Sequence, residues 1–150
     1  MPSLTLTTEE KVLLWIYRFM PEVEGSGYVW TAPPLLTQKG IERGLLVRQA
    51  YVSRTLTKLM EQGLVKSVLA HTGPGRRKNV YILTPRGTEA AVEILRQLEK
   101  TEVTVVTSQG EEVVSFSEAA ERLNIPRTKL AIELREGKIC LLYTSPSPRD

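Results

Sequence analysis

The sequence predicts an α+β chain in which three helices, a two-stranded hairpin and a fourth helix precede a smaller unit of one hairpin and two helices. Three observations predict it. Apolar residues recur at helical spacing in three stretches before residue 100. β-Branched and apolar runs flank turn-forming residues twice, at 71–75 and 108–110. Lysine and arginine concentrate in one segment, 47–86.

The first helix opens at Thr7-Thr8-Glu9-Glu10, where Thr7 and Glu10 have the spacing at which each side chain satisfies a free amide of the other. Val12, Trp15, Ile16, Phe19 and Met20 form its apolar stripe, and Pro21 with Gly25-Ser26-Gly27 ends it in a loop. Tyr28-Val29-Trp30 reads as a short strand. A short second helix is expected over 35–43, closed by Gly44, with Leu45-Leu46-Val47 as the turn. A longer third helix spans 48–62, with Gly63 placed where a helix commonly ends in a left-handed residue. Short helix, tight turn and longer helix are the spacing of a helix–turn–helix. Residues 64–70 and 79–83 read as strands around His71-Thr72-Gly73-Pro74-Gly75, with Arg76-Arg77-Lys78 near the tip. Thr84 then caps a fourth helix with Pro85 in its first position and Ala91, Ile94, Leu95 and Leu98 along one face. That face serves as core or, in part, as a dimer seam. Helix, helix, helix, strand, strand, helix is the order of a winged helix–turn–helix, expected over 1–100.

A second unit is expected over 101–139. Val103 and Val105 alternate with polar residues, Ser108-Gln109-Gly110 turns the chain, and Val113-Val114 return. Ser115 and Glu118 cap a helix bearing Ala119, Ala120 and Leu123. Asn124-Ile125-Pro126 breaks it, and 127–136 form another helix ended by Gly137. Residues 140–150, Cys-Leu-Leu-Tyr-Thr-Ser-Pro-Ser-Pro-Arg-Asp, resemble a translated transposase-type sequencing adapter. On that reading they are not native sequence, and the intact protein continues differently after Ile139.

Charge distribution fits either a polyanionic partner or a solvated basic face. The chain carries a net +3, yet 47–86 holds eight Lys/Arg against a single acid, Glu61. The third helix explains why this matters. At 100° per residue, Val52, Leu56, Leu59 and Met60 share an arc of about 100° that faces inward. Ala50, Tyr51, Arg54, Thr57 and Lys58 occupy the opposite side. A helix that reads a major groove needs apolar anchors on one face and small or basic residues on the other. Arg54 suits a bidentate contact to guanine or a phosphate, and Lys58 suits phosphate as a point charge. The Ala50 and Thr57 methyls permit close approach. The cations Arg76, Arg77 and Lys78 suit a backbone or minor-groove contact from a wing spanning 73–79.

The residues that carry this pattern resemble a known group. Leu36-Thr37-Gln38-Lys39-Gly40-Ile41, Tyr51-Val52-Ser53-Arg54-Thr55-Leu56, Leu59-Met60-Glu61-Gln62-Gly63-Leu64-Val65 and the run from Arg76 to Gly87 resemble winged-helix regulators of the MarR/PadR kind, archaeal type, over residues 5–100. The resemblance implies transcriptional regulation, double-stranded DNA as partner and commonly a homodimer. It places Ser53 and Arg54 against DNA and Arg76 and Arg77 on the wing. Together with the helical wheel, the candidate DNA-binding set is Gln49, Ala50, Tyr51, Ser53, Arg54, Thr57, Lys58, Arg76, Arg77 and Lys78. The turn 43–50 departs from the Gly-Ile-type turn more usual there. Residues 103–139 resemble the nuclease-associated modular (NUMOD-type) hairpin and helix–turn–helix, through Gly110, Phe116, Ser117, Glu118-Ala119-Ala120, Leu123, Ile125, Arg127, Leu130 and Gly137-Lys138. That implies a second candidate DNA site at Arg127, Thr128 and Lys129.

Catalysis is not expected. Before residue 140 there is no aspartate, no cysteine and one histidine, His71, which cannot supply the roughly four ligands of a zinc site. His71 lacks an orienting acid for nucleophilic catalysis and reads as a surface residue or a phosphate contact. Gly73-x-Gly75 is followed by no helix, so it is no dinucleotide fingerprint. No cofactor and no metal are expected. No apolar run approaches the ~20 residues that span a bilayer, and no secretory leader is visible, so a cytoplasmic location is expected. Two other readings stand beside DNA binding: a winged helix that serves protein–protein interaction, and the DNA-targeting part of a larger, truncated enzyme.

Overall fold

The computed structural model describes residues 6–26, 29–73, 76–107, 110–133 and 138–140. The chain is α+β and divides into two units, one spanning Thr7–Glu93 and a smaller one formed mainly from Ile94 onward, with Leu6.

In the larger unit, α1 (Thr8–Phe19) starts on the predicted capping box: the Glu10 amide donates to Thr7 Oγ1 at 3.2 Å, and the Thr7 amide donates to Glu10 Oε1 at 2.9 Å. Its buried residues are Val12, Leu13, Leu14, Trp15, Ile16 and Phe19, a wider arc than the expected stripe. A turn of 3-10 helix, Met20–Glu22, follows around Pro21. Where a loop was expected, the chain forms a short hairpin: β1 (Glu24–Ser26) pairs antiparallel with β2 (Val29–Thr31). The expected strand is thus present at Val29 and Trp30, while Gly27 and Tyr28 lie outside the described residues. The polar, glycine-containing β1 lacks the alternation that marks a strand in sequence.

The second helix also differs from expectation. A 3-10 turn at Pro34–Leu36 comes first, Thr37 is extended, and α2 runs Gln38–Leu45. Thr37 Oγ1 accepts from the Gly40 amide at 3.0 Å, so the threonine is the N-cap and the helix starts after it. Gly40 is required by contact, because a Cβ there would stand 2.3 Å from the Pro34 carbonyl oxygen. Gly44 does not close the helix. It lies inside α2, where a Cβ would come within 2.0 Å of the Trp15 ring. The indole N–H of Trp15 donates to the Leu35 carbonyl at 2.8 Å, and its ring meets Phe19 edge-on with centroids 4.9 Å apart. The helix is instead closed by Leu46, which adopts the left-handed conformation (φ 57°, ψ 44°) and is 89% exposed.

Next, α3 (Gln49–Glu61) ends on Gly63, at φ 76°. The Leu64 amide donates to Leu59 O and the Gly63 amide to Met60 O, both at 3.0 Å, which completes the predicted glycine stop. Strands β3 (Val65–Ala70) and β4 (Lys78–Leu83) pair antiparallel, from Val65↔Leu83 to Ala70↔Lys78. Helix α4 (Pro85–Glu99), whose residues from Ile94 belong to the smaller unit, follows Thr84, whose Oγ1 accepts from the Gly87 amide at 3.1 Å. Helices α1 to α3 and the β3–β4 hairpin enclose a core that includes the fully buried Leu14, Ile16, Leu36, Ile41, Val52, Leu56, Leu59 and Val80. Each such side chain stabilises the fold by about 1.5–3 kcal/mol relative to exposure. Three helices, a hairpin and a further helix, in that order, form the winged helix–turn–helix arrangement.

In the smaller unit, β5 (Glu102–Thr107) pairs antiparallel with β6 (Gly110–Ser115), from Glu102↔Ser115 to Thr107↔Gly110. Ser108 and Gln109 of the expected turn lie outside the described residues. Ser115 caps α5 (Phe116–Leu123) through the Glu118 amide at 3.1 Å, as expected. Asn124, left-handed at φ 57°, turns the chain into α6 (Arg127–Glu133). A strand absent from the sequence expectation, β7 (Lys138–Cys140), pairs parallel with β5 to give the order β6-β5-β7. Val103, Val105, Val114, Phe116, Ala119, Ala120, Leu130 and Ala131 are buried. Cys140 therefore belongs to a strand by its backbone, and the rest of the adapter-like stretch, 141–150, lies outside the described residues, as does the end expected for the last helix, 134–137. Among the described residues no helix is long and apolar enough to cross a membrane.

Candidate nucleic-acid interface

The site is built on α3 and the β3–β4 hairpin of the larger unit. The inward face of α3 is formed by Val52, Thr55, Leu56 and Leu59. Relative to the expected arc, Thr55 replaces Met60, which is half-buried. Thr55 tolerates burial because its hydroxyl donates to the Tyr51 carbonyl at 2.8 Å. A 100° step places residue 55 about as close to the arc's centre as residue 60, so helical geometry alone leaves the two equivalent. The expected start at residue 48 shifts by one: Arg48 is extended and is the N-cap, without a side-chain hydrogen bond.

Gln49, Ala50, Tyr51, Ser53, Arg54, Thr57 and Lys58 are all exposed; Ala50, Tyr51, Arg54, Thr57 and Lys58 lie opposite the buried face, and Gln49 is the first residue of the helix. The Thr57 hydroxyl donates to Ser53 O at 3.0 Å. The Arg54 guanidinium lies over the Tyr51 ring, 5.7 Å from its centroid. A half-exposed tyrosine thus orders a cation on the surface. The Lys58 ammonium pairs with Glu9 Oε2 of α1 at 2.8 Å. The hydrogen bond to Glu9, with the attraction of its charge, raises the Lys58 pKa above the usual lysine value. Sequence reasoning missed Glu9 as part of the site. Nothing in sequence links two residues 49 positions apart.

Arg76, Arg77 and Lys78 are exposed at the end of the hairpin. Gly73 lies beside them with a positive φ of 140° and open space around it; Pro74 and Gly75 of the expected wing tip lie outside the described residues. The hairpin is pinned at both ends. The His71 amide donates to Trp30 O at 2.8 Å, and His71 O accepts from the Ala32 amide at 3.0 Å, so β2 extends the hairpin by a bridge from Thr31. His71 is therefore fixed by its backbone, with an exposed side chain. At the other end, Thr84 Oγ1 donates to Gly63 O at 2.6 Å and the Thr84 amide donates to Leu64 O at 3.0 Å. The end of α3, the start of β3 and the start of α4 meet at this junction.

All eight basic residues of 47–86, Arg48, Arg54, Lys58, Lys66, Arg76, Arg77, Lys78 and Arg86, are exposed. Lys66 and Arg86 enter the charge balance of the sequence without being singled out there as contacts. Such a surface attracts polyanions.

In the smaller unit, the second candidate set is arranged differently. Thr128 is buried, Arg127 pairs with Glu99 at 2.5 Å, and Lys129 lies 3.9 Å from Glu133. Arg122 joins the hairpin to α5 through Glu112, at 2.6 and 2.8 Å, and Glu118 at 2.9 Å. The Arg122 guanidinium, by hydrogen bonds and charge, holds the Glu112 carboxyl below the usual carboxylate range. No group of three or more potential metal ligands occurs among the described residues.

No protein-family model matches the chain, and no curated protein matches it. Among solved structures, it is similar to a cysteine-to-serine mutant of Lactococcus lactis ZitR, at 23% identity over 78% of this chain and 59% of that one, with a TM-score of 0.46. It is also similar to wild-type Lactococcus lactis ZitR in complex with DNA, at 22% identity over 79% and 61% of the two chains, with a TM-score of 0.44. The Vibrio cholerae ferric uptake regulator, Fur, shares 14% identity over 91% and 88% of the two chains, with a TM-score of 0.35. The chain thus spans about 60% of the length of the ZitR structures it matches.

Proposed function

We propose that the Thr7–Glu93 unit binds double-stranded DNA as part of a transcriptional regulator of the MarR/PadR-like kind, with α3 in the major groove and the 73–79 wing on the backbone or minor groove. The observation that carries this reading is the two-faced third helix. Val52, Thr55, Leu56 and Leu59 anchor it, while Gln49, Ala50, Tyr51, Ser53, Arg54, Thr57 and Lys58 all stand exposed. Arg54 supplies the bidentate donor suited to a guanine edge. Ala50 and the Thr57 methyl suit a thymine methyl. Arg76, Arg77 and Lys78 supply contacts that position the protein without reading sequence. The protein acts here as a binding module and not as a catalyst. Arg127, Thr128 and Lys129 are a weaker site in this reading, because burial and ion pairing already occupy them.

Fluorescence anisotropy of the full chain against labelled duplex, repeated from low to moderate salt, tests the proposal. Binding should weaken with salt at a log–log slope of about −0.9 for each phosphate neutralised. Arg54→Ala should weaken binding to a selected site by about 1–3 kcal/mol while changing affinity for random duplex less. No binding to any duplex at low salt would refute the reading. A homodimer on two half-sites one helical turn apart, about 34–36 Å, fits this docking, and sedimentation with and without operator DNA tests it.

A further inference from the structure

We propose that Glu9 is a specificity-setting residue of the DNA-binding face: it holds the Lys58 ammonium in an internal ion pair and so withholds that cation from indiscriminate phosphate contact. The inference deepens the DNA-binding reading and rests on it. The two acids at the start of α1 have separate partners. Glu10 closes the capping box on Thr7, whereas Glu9, one residue earlier, reaches across to α3 and meets Lys58 Nζ at 2.8 Å. The cap therefore does not need Glu9. Of the two cations on the outward side of α3, Arg54 lies over Tyr51 and Lys58 is held by Glu9. The pair is open to water, with the Lys58 side chain 57% and the Glu9 side chain 36% exposed, so it is weak enough for a phosphate to displace. Displacement costs the Glu9 attraction each time. A cognate site supplies base contacts that offset this cost, and random duplex does not. Glu9 then lowers non-specific affinity more than specific affinity, which widens the ratio that decides occupancy in a genome.

The test is a double-mutant cycle on the full chain, with anisotropy measured on random duplex across a salt series. Glu9→Gln should raise random-duplex affinity about 3- to 10-fold at low salt. It should also steepen the salt dependence by about 0.9, the equivalent of one released phosphate contact. In a Lys58→Gln background the same substitution should give no gain. A gain that persists without Lys58 would mean simple charge repulsion between Glu9 and DNA and would overturn the proposal. So would an unchanged or weakened affinity in Glu9→Gln when the wild type binds. If the wild type binds no duplex at all, the DNA-binding reading itself falls and this inference falls with it.

Discussion

Gly87→Ala is the substitution whose sign the structure decides against local propensity. Gly87 is the third residue of α4, and a helix interior prefers alanine to glycine by about 0.8–1.0 kcal/mol. On that count alone the variant would be more stable. The packing says otherwise. A Cβ at this position would stand 1.9 Å from the Leu64 carbonyl oxygen, 2.9 Å from its carbon and 3.2 Å from Leu83 Cδ2. The nearest atoms are backbone, at the start of the hairpin, and that same oxygen accepts the Thr84 amide at 3.0 Å. Relief requires β3 and α4 to separate. Overpacking of this kind costs about 1–3 kcal/mol, and loss of the Thr84 bond adds about 0.5–1.5 kcal/mol. After the helix gain is subtracted, a net loss of about 0.5–3.7 kcal/mol remains. For a unit of this size that lowers Tm by at least about 2 °C. Both tryptophans, Trp15 and Trp30, lie in the Thr7–Glu93 unit, so tryptophan fluorescence during urea or thermal unfolding follows that unit. A Gly87→Ala protein as stable as the wild type, or more so, would refute the close approach of α4 to Leu64.

Other perturbations separate competing accounts. Gly44→Ala should destabilise the larger unit by about 1–3 kcal/mol through the Trp15 ring, whereas a glycine that merely ended the helix would tolerate alanine; the same fluorescence melt decides. Leu46→Gly should stabilise the fold by up to about 1 kcal/mol, since it relieves a left-handed conformation at a side chain that is 89% exposed. Equal or lower stability in the melt would contradict the left-handed turn. Because Arg122 depresses the Glu112 carboxyl, that group contributes stability above the ordinary carboxylate pKa, and the contribution is lost as pH falls through its lower folded value. Far-UV circular dichroism of Arg122→Gln should accordingly show a smaller acid-side loss of stability than the wild type.

The parts of the fold that are legible in sequence are those fixed by local chemistry. Thr7 with Glu10, Gly63, Thr84 with Pro85, and Ser115 with Glu118 each mark an end by a hydrogen bond or a backbone preference that spans three or four residues. The outward face of α3 is legible for a related reason, since a 3.6-residue period sorts its side chains with no tertiary information. What escapes is set by distant contacts. Gly44 reads as a helix end because a glycine fitted against an aromatic ring carries no local mark. The β1–β2 hairpin and β7 have strands of three residues each and depend on pairing across the sheet. Thr55 is absent from the inward arc expected of apolar residues, yet its hydroxyl is satisfied within the helix and the residue is buried. Glu9 is the clearest case in the site: its role exists only once α1 is laid beside α3.

The most direct measurement is a backbone-amide chemical-shift map of the full chain titrated with duplex DNA. The account predicts that the largest changes fall on 49–58 and 71–78, with 110–133 little affected. Changes centred on α5 and α6, or spread evenly with α3 unmoved, would contradict it.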